Sequence, residues 1–154
     1  MIAFAAIKFF MLKYENNSVI IFDIDKATAL EGASGPYLLY VLARINSIVK
    51  KVPLLSRYIP ANLELLNTTE EKVLINVISR FEEIVKIAKE KQQPAPIATY
   101  LLELAQAFNS FYHQHSVIKA EPKLRYARYH LIKAVKKTIE SGLYLLNIKG
   151  LQEM

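Results

Sequence analysis

Tyr40 and Arg44 stand four residues apart in a stretch that reads as helix, so a phenol ring and a guanidinium share one face. Ser47 and Lys51 continue that line beside an apolar stripe of Leu38, Val41, Leu42, Ile45, Ile48, Val49 and Val52. A ring next to a guanidinium suits an unpaired base, by stacking and by hydrogen bonding. Arg44 stacked on Tyr40 as plain surface packing is the competing reading. A second candidate face lies between Pro122 and Gly142. At roughly 100° per residue, Leu124, Ala127, Leu131, Ala134, Val135 and Thr138 fall on one arc. Arg125, Tyr126, Tyr129, His130, Lys133, Lys136 and Lys137 fall on the opposite arc, which is basic, free of acids and interleaved with aromatics. Such a face neutralises phosphates and offers stacking surfaces to bases, although a solvated face on a basic protein has the same pattern. Arg128 points toward the apolar arc, where a charge must snorkel or find an acceptor. It is read as a structural or positioning residue.

Other chemistry is scarce. Gln106, Asn109, His113, Gln114 and His115 lie on the polar side and exit of a further predicted helix. Two histidines two residues apart do not share a helix face, so no metal site is expected. No carboxylate close in sequence would orient either of them as a general base. The acid pairs Glu70-Glu71 and Glu82-Glu83 read as capping or solvated positions. The absence of cysteine excludes disulfides, thiolate metal sites and a cysteine nucleophile. None of the four glycines belongs to a phosphate-cradling loop. No catalytic residue is assigned.

The elements that must carry these groups are helices. A chain of 154 residues supports one core, and 53% hydrophobic residues exclude a disordered chain. Twenty Lys and Arg against fourteen Asp and Glu leave a charge of +6, which suits a polyanionic partner. A first helix runs to about Tyr14, and Asn16-Asn17-Ser18 turns into an extended Val19-Ile20-Ile21-Phe22. Gly35-Pro36 opens the second helix, with proline in the first turn where its missing N–H costs nothing; Pro53 and Pro60 mark its end and a loop. Asn67-Thr68-Thr69-Glu70-Glu71 caps a third helix reaching about Lys91. Its stripe is Val73, Val77, Phe81, Ile84 and Ala88. Pro94 and Pro96 start a fourth, striped by Ile97, Tyr100, Leu101, Leu104, Ala105, Phe108, Phe111 and Tyr112, and Pro122 starts a fifth. The expected architecture is all-α, a bundle of about five helices. Met1 to Leu12 is apolar around Lys8, too short for the ~20 residues of a membrane span and without the layout of a secretory signal. It reads as a core-facing helix, with membrane contact as the alternative, and the chain is placed in the cytoplasm.

Three stretches, in order and spacing, resemble a known family. Glu31-Gly32-Ala33-Ser34-Gly35-Pro36-Tyr37-Leu38-Leu39-Tyr40-Val41-Leu42-Ala43-Arg44-Ile45 is similar to the opening of the C-terminal domain of arginyl-tRNA synthetases. Leu101 through Tyr112 resembles that family's later helix, and Gly142-Leu143-Tyr144-Leu145-Leu146-Asn147-Ile148 through Met154 resembles its C-terminus. Residues from Ala6 to Asp23 resemble the segment joining this domain to the catalytic one. The resemblance implies a helical DALR anticodon-binding domain over residues 31–154. Residues 1–30 would be a linker helix and extended segment toward a catalytic domain that this chain lacks. Several departures stand out: Leu39 for the usual glutamine, Asn147 for a glycine, Leu151-Gln152-Glu153 for Pro-Glu-Arg, and Ser116-Val117 where an apolar contact is usual.

By that resemblance, the anticodon loop would be held by Tyr40 and Arg44, by Asn109, Tyr112 and His113, and by the terminal carboxylate of Met154. From the two helix faces described above, Lys51, Arg125, Tyr129, Lys133 and Lys136 would add phosphate or base contacts, and by the resemblance Arg128 matches an arginine of the family's last long helix. The implied partner is the anticodon stem-loop of an arginine tRNA, bound by a monomer and presented to the parent's catalytic domain. No His-Ile-Gly-His or Lys-Met-Ser-Lys-Ser signature occurs, so no cofactor is expected on this chain. ATP and arginine would belong only to the parent catalytic domain. The chain would be an excised domain, a fragment or a free-standing relative. A helical protein-interaction or dimerisation module and a basic amphipathic membrane-surface binder are the readings from other classes.

Overall fold

A computed structural model describes residues 2–53 and 62–150; Pro60 and Met154 lie outside this described part. Seven α-helical segments follow in order: α1 Ile2–Leu12, α2 Ile24–Thr28, α3 Gly35–Lys51, α4 Thr69–Ser79, α5 Phe81–Lys91, α6 Ala95–Gln114 and α7 Pro122–Leu145. A 3-10 turn, Leu63–Leu65, precedes α4. No strand occurs among the described residues, and Val19 to Phe22 runs outside any helix. The five long helical periods are thus present. The two additional segments are the short α2 and the second half of the helix that periodicity drew unbroken to Lys91.

At that break, at Arg80, the Val77 carbonyl accepts the Arg80 N–H at 3.2 Å and the hydroxyl of Tyr100 at 3.0 Å, where a continuing helix would offer it to Phe81. The Phe81 and Tyr100 rings then pack with centroids 5.6 Å apart. Burial pushes the Tyr100 phenol up to about 12. The stripe of α4 is also shifted: Leu74 and Val77 are buried, whereas Val73 is exposed.

Local chemistry sets the ends. The Ser34 hydroxyl accepts the Tyr37 N–H at 3.0 Å, capping α3 immediately before Gly35-Pro36. Thr68 and Glu71 form a reciprocal capping box at α4. Asn147 occupies the left-handed region with φ 53°. The N–H groups of Asn147 and Ile148 there return to the carbonyls of Tyr144 and Leu143 and close α7 in a Schellman motif. Asparagine tolerates that conformation better than other side chains, which accounts for its standing where the resembled family has glycine.

One core gathers the inner faces of α1, α3, α6 and α7 around Phe9, Leu38, Leu42, Phe108 and Ile132. Helix α7 packs against α3, α4, α6 and the 3-10 turn. Helix α1 packs on α3, α2 and α6 and buries Ala5, Ala6, Phe9 and Phe10, the last against the rings of Tyr14 and Phe22, yet leaves Ile2, Phe4, Ile7 and Met11 exposed. Among the described residues, no helix is long and apolar enough to cross a membrane.

Candidate nucleic-acid interface

Arg44 leaves α3 at the seam with α6 and lies between two rings. Its guanidinium carbon is 4.5 Å from the centroid of Tyr40 and 4.8 Å from that of Tyr112. One terminal nitrogen donates to the Tyr40 hydroxyl, and the other donates to Oδ1 of Asn109 at 3.4 Å. Asn109 Nδ2 donates to the Tyr37 hydroxyl at 2.8 Å. Asn109 therefore spends both ends of its amide on α3, which makes it a group that sets Arg44 in place. Burial raises the Tyr37 phenol, against the opposing hydrogen bond from Asn109 and the charge of Arg44. Tyr40 is 37% exposed and Tyr112 39%, so neither residue is closed off from solvent.

This cluster opens onto a groove of about 400 Å³ lined by Arg44, Ser47, Ile48, Lys51, Tyr112 and the segment from His113 to Ile118. His113 is exposed and set edge-on to Tyr112, with centroids 5.9 Å apart. The structure thus brings Tyr40, Arg44, Asn109, Tyr112, His113 and Lys51 to one seam. What they offer together is two part-exposed phenol rings, a guanidinium, an ammonium and an imidazole, of which Arg44, Lys51, Tyr112 and His113 line the concavity itself. Lys and Arg are strong phosphate partners, and rings stack on unpaired bases.

The basic face expected on α7 is not the one observed. Tyr126 and Tyr129 are buried, and His130 is half-buried and edge-on to Tyr129. No aromatic of that arc offers an open stacking surface, so Tyr129 is withdrawn as a base contact. The physical reason is that α7 packs on several sides, which widens its buried arc beyond one stripe. Nor is the face free of acids: Lys136 sits 3.6 Å from Glu140. Arg125 folds back onto the Ala120 carbonyl at 2.9 Å. Lys133 is exposed, its ammonium 5.5 Å from the Tyr129 ring. None of these residues lines the groove.

Arg128 finds its acceptor in Glu71, Nε to Oε1 at 2.7 Å, in a pair that is 9% and 0% exposed. It also donates to the Ser116 carbonyl at 3.0 Å. Both acids of the first turn of α4 add a tertiary contact to the capping position read from the sequence. Glu71 is buried as well as capping. Glu70 reaches His115 at 2.9 Å, so a carboxylate distant in sequence orients that ring. Burial alone would raise the Glu71 carboxyl, but hydrogen bonds from Arg128 and Thr68 outweigh it and hold the carboxyl below its ordinary value. Tyr37, one turn before Tyr40, was missed at the site, although its spacing on the same edge of α3 could have marked it. Among the described residues, no group of His, Asp and Glu is placed to hold a metal ion.

Fold and groove together define an all-helical domain with an aromatic and cationic seam. Comparison with known proteins names its class. The DALR anticodon binding domain family matches residues 38–154. The arginine–tRNA ligase of Borrelia hermsii is 37% identical over 99% of this chain, and that of Pyrococcus abyssi 39% over 97%. The solved Thermus thermophilus arginyl-tRNA synthetase superposes over the whole chain with a TM-score of 0.92 at 34% identity. The chain belongs to the DALR anticodon-binding domain family, in the form carried by arginyl-tRNA synthetases. It spans about a quarter of the length of these relatives, 26%, 24% and 27% respectively.

Proposed function

We propose that this chain binds the anticodon stem-loop of an arginine tRNA and positions that tRNA for aminoacylation by a catalytic domain outside the chain. The observation that carries the reading is Arg44 set between Tyr40 and Tyr112 at the mouth of the groove. A base splayed from the loop would stack on an exposed ring and accept from the guanidinium. Lys51 and His113 would meet the adjoining backbone, with Lys133 and Lys136 supplying longer-range charge. ATP and arginine would be handled by the parent catalytic domain in the cytoplasm. Residues 1–30 would face that domain, and residues 31–154 would hold the RNA. Exposed Phe4, Ile7, Val19, Ile21 and Ile24 support such an apolar seat.

The test compares binding to the cognate stem-loop and to one with its middle anticodon base changed. Arg44→Ala should cost about 1.5–3 kcal/mol of affinity and Tyr40→Ala about 1–3 kcal/mol, with discrimination shrinking in both. Affinity should fall with salt at a log–log slope of roughly −2 to −3.5. Folded variants that bind and discriminate like wild type would reduce the cluster to surface packing.

A further inference from the structure

One wall of the groove is the segment from His115 to Ile118, between α6 and α7 and outside both helices. Val117 anchors it in the core. Arg128 holds the Ser116 carbonyl. The His115 ring stands between two charges, with Nε2 2.9 Å from Oε2 of Glu70 and Nδ1 3.5 Å from a terminal nitrogen of Arg128. A guanidinium nitrogen can only donate, so Nδ1 is the acceptor and the ring proton sits on Nε2, directed at Glu70. Glu71 completes the set: Oε1 accepts from Arg128 and Oε2 accepts the Thr68 N–H at 3.0 Å. Adjacent carboxylates in the first turn of α4 thus grip the same loop, one through a histidine and one through an arginine.

We propose that Glu70, Glu71 and His115 are positioning residues for the groove: charge-assisted hydrogen bonds from α4 fix the His115-to-Ile118 wall, with His115 protonated on Nε2. The clamp stands on this geometry alone; only its consequence for affinity rests on the RNA-binding reading. Glu70 is the member to vary. It lies outside the capping box, so replacing it leaves both the Thr68 cap and the Glu71–Arg128 pair in place.

Nitrogen-15 NMR of the full chain above neutral pH reports which ring nitrogen of His115 carries the proton. Amide exchange of His115 and Lys119, whose N–H groups donate to the Phe111 carbonyl at 2.9 Å and to the Ser116 hydroxyl at 3.1 Å, reports the wall, and neither measurement needs RNA. The expected results are an Nε2–H ring and wall exchange about tenfold faster in Glu70→Ala. In Glu70→Gln, whose amide oxygen still accepts from Nε2–H, exchange should stay within about twofold of wild type. Affinity for the stem-loop should follow the same order, roughly three- to tenfold weaker in Glu70→Ala and recovered in Glu70→Gln at unchanged Tm. A proton on Nδ1, or wall exchange in Glu70→Ala equal to wild type, overturns the clamp. A glutamine variant no better than alanine does the same. A wild-type chain that binds no stem-loop overturns the RNA reading instead, and the NMR results still decide the clamp.

Discussion

Arg44 and Arg128 illustrate what a guanidinium can do that an ammonium cannot. Arg44 sits between two rings while donating to a hydroxyl and an amide oxygen, and Arg128 bridges a carboxylate, a carbonyl and an imidazole. The buried pair of Arg128 and Glu71 also gives the protein a defined acid sensitivity. The Glu71 carboxyl lies below its ordinary value of 4.5 in the folded chain. Its stabilising contribution is therefore complete above that value and is lost as pH falls through the lowered, folded one. Glu71→Gln should cost about 3–5 kcal/mol at neutral pH by leaving Arg128 buried without its counter-ion. Thermal melts should show this gap narrowing once pH drops below 4.5, as wild type loses the same charge. A gap independent of pH would mean that the carboxylate charge contributes nothing.

Between elements, one glycine decides how closely two helices approach. A Cβ on Gly35 would collide with the backbone carbonyl of Ala5 and nothing there can rotate away, so α1 and α3 touch backbone to backbone. Gly35→Ala should destabilise the chain by about 1–3 kcal/mol. Helix content should stay nearly intact in circular dichroism, because the damage falls on docking and not on α3 itself. An unchanged Tm would show that α1 shifts at no cost. The same scale explains the split of α4 from α5. The sequence there carries a cap, a stripe and no breaker, and at the interruption the Val77 carbonyl accepts the Arg80 N–H together with the hydroxyl of Tyr100 on α6.

Over the whole molecule, exposed large apolar side chains concentrate in the first thirty residues. Phe4 is 74% exposed, Val19 93% and Ile21 84%, although the chain has a well-filled core elsewhere. Large apolar side chains left exposed in one stretch of chain fit an interaction site. Wild type should enhance the fluorescence of an apolar dye such as ANS, and Phe4→Ser with Ile21→Ser should abolish most of that signal. Stability should move by no more than about 0.5 kcal/mol per site, as for other surface substitutions. Equal dye binding by the double variant would place the apolar surface elsewhere.

Helical periodicity, proline and glycine punctuation and the cap around Thr68 were legible along the chain, because each depends on neighbours within about four residues. The edge of α3 that carries Tyr40, Arg44, Ser47 and Lys51 was legible for the same reason. Two things were not. The outward face of α7 could not be read from one helix, since α7 packs against four other elements and ends with Tyr126 and Tyr129 buried and Tyr144 exposed. The partners of Arg128 and His115 were equally hidden. Their carboxylates stand 57 and 45 residues away in sequence, and only the packing of α4 against α6 and α7 brings them within hydrogen-bonding distance. Spacing along a helix fixes which side chains share a face; which faces stay open to a ligand is fixed by how the helices pack.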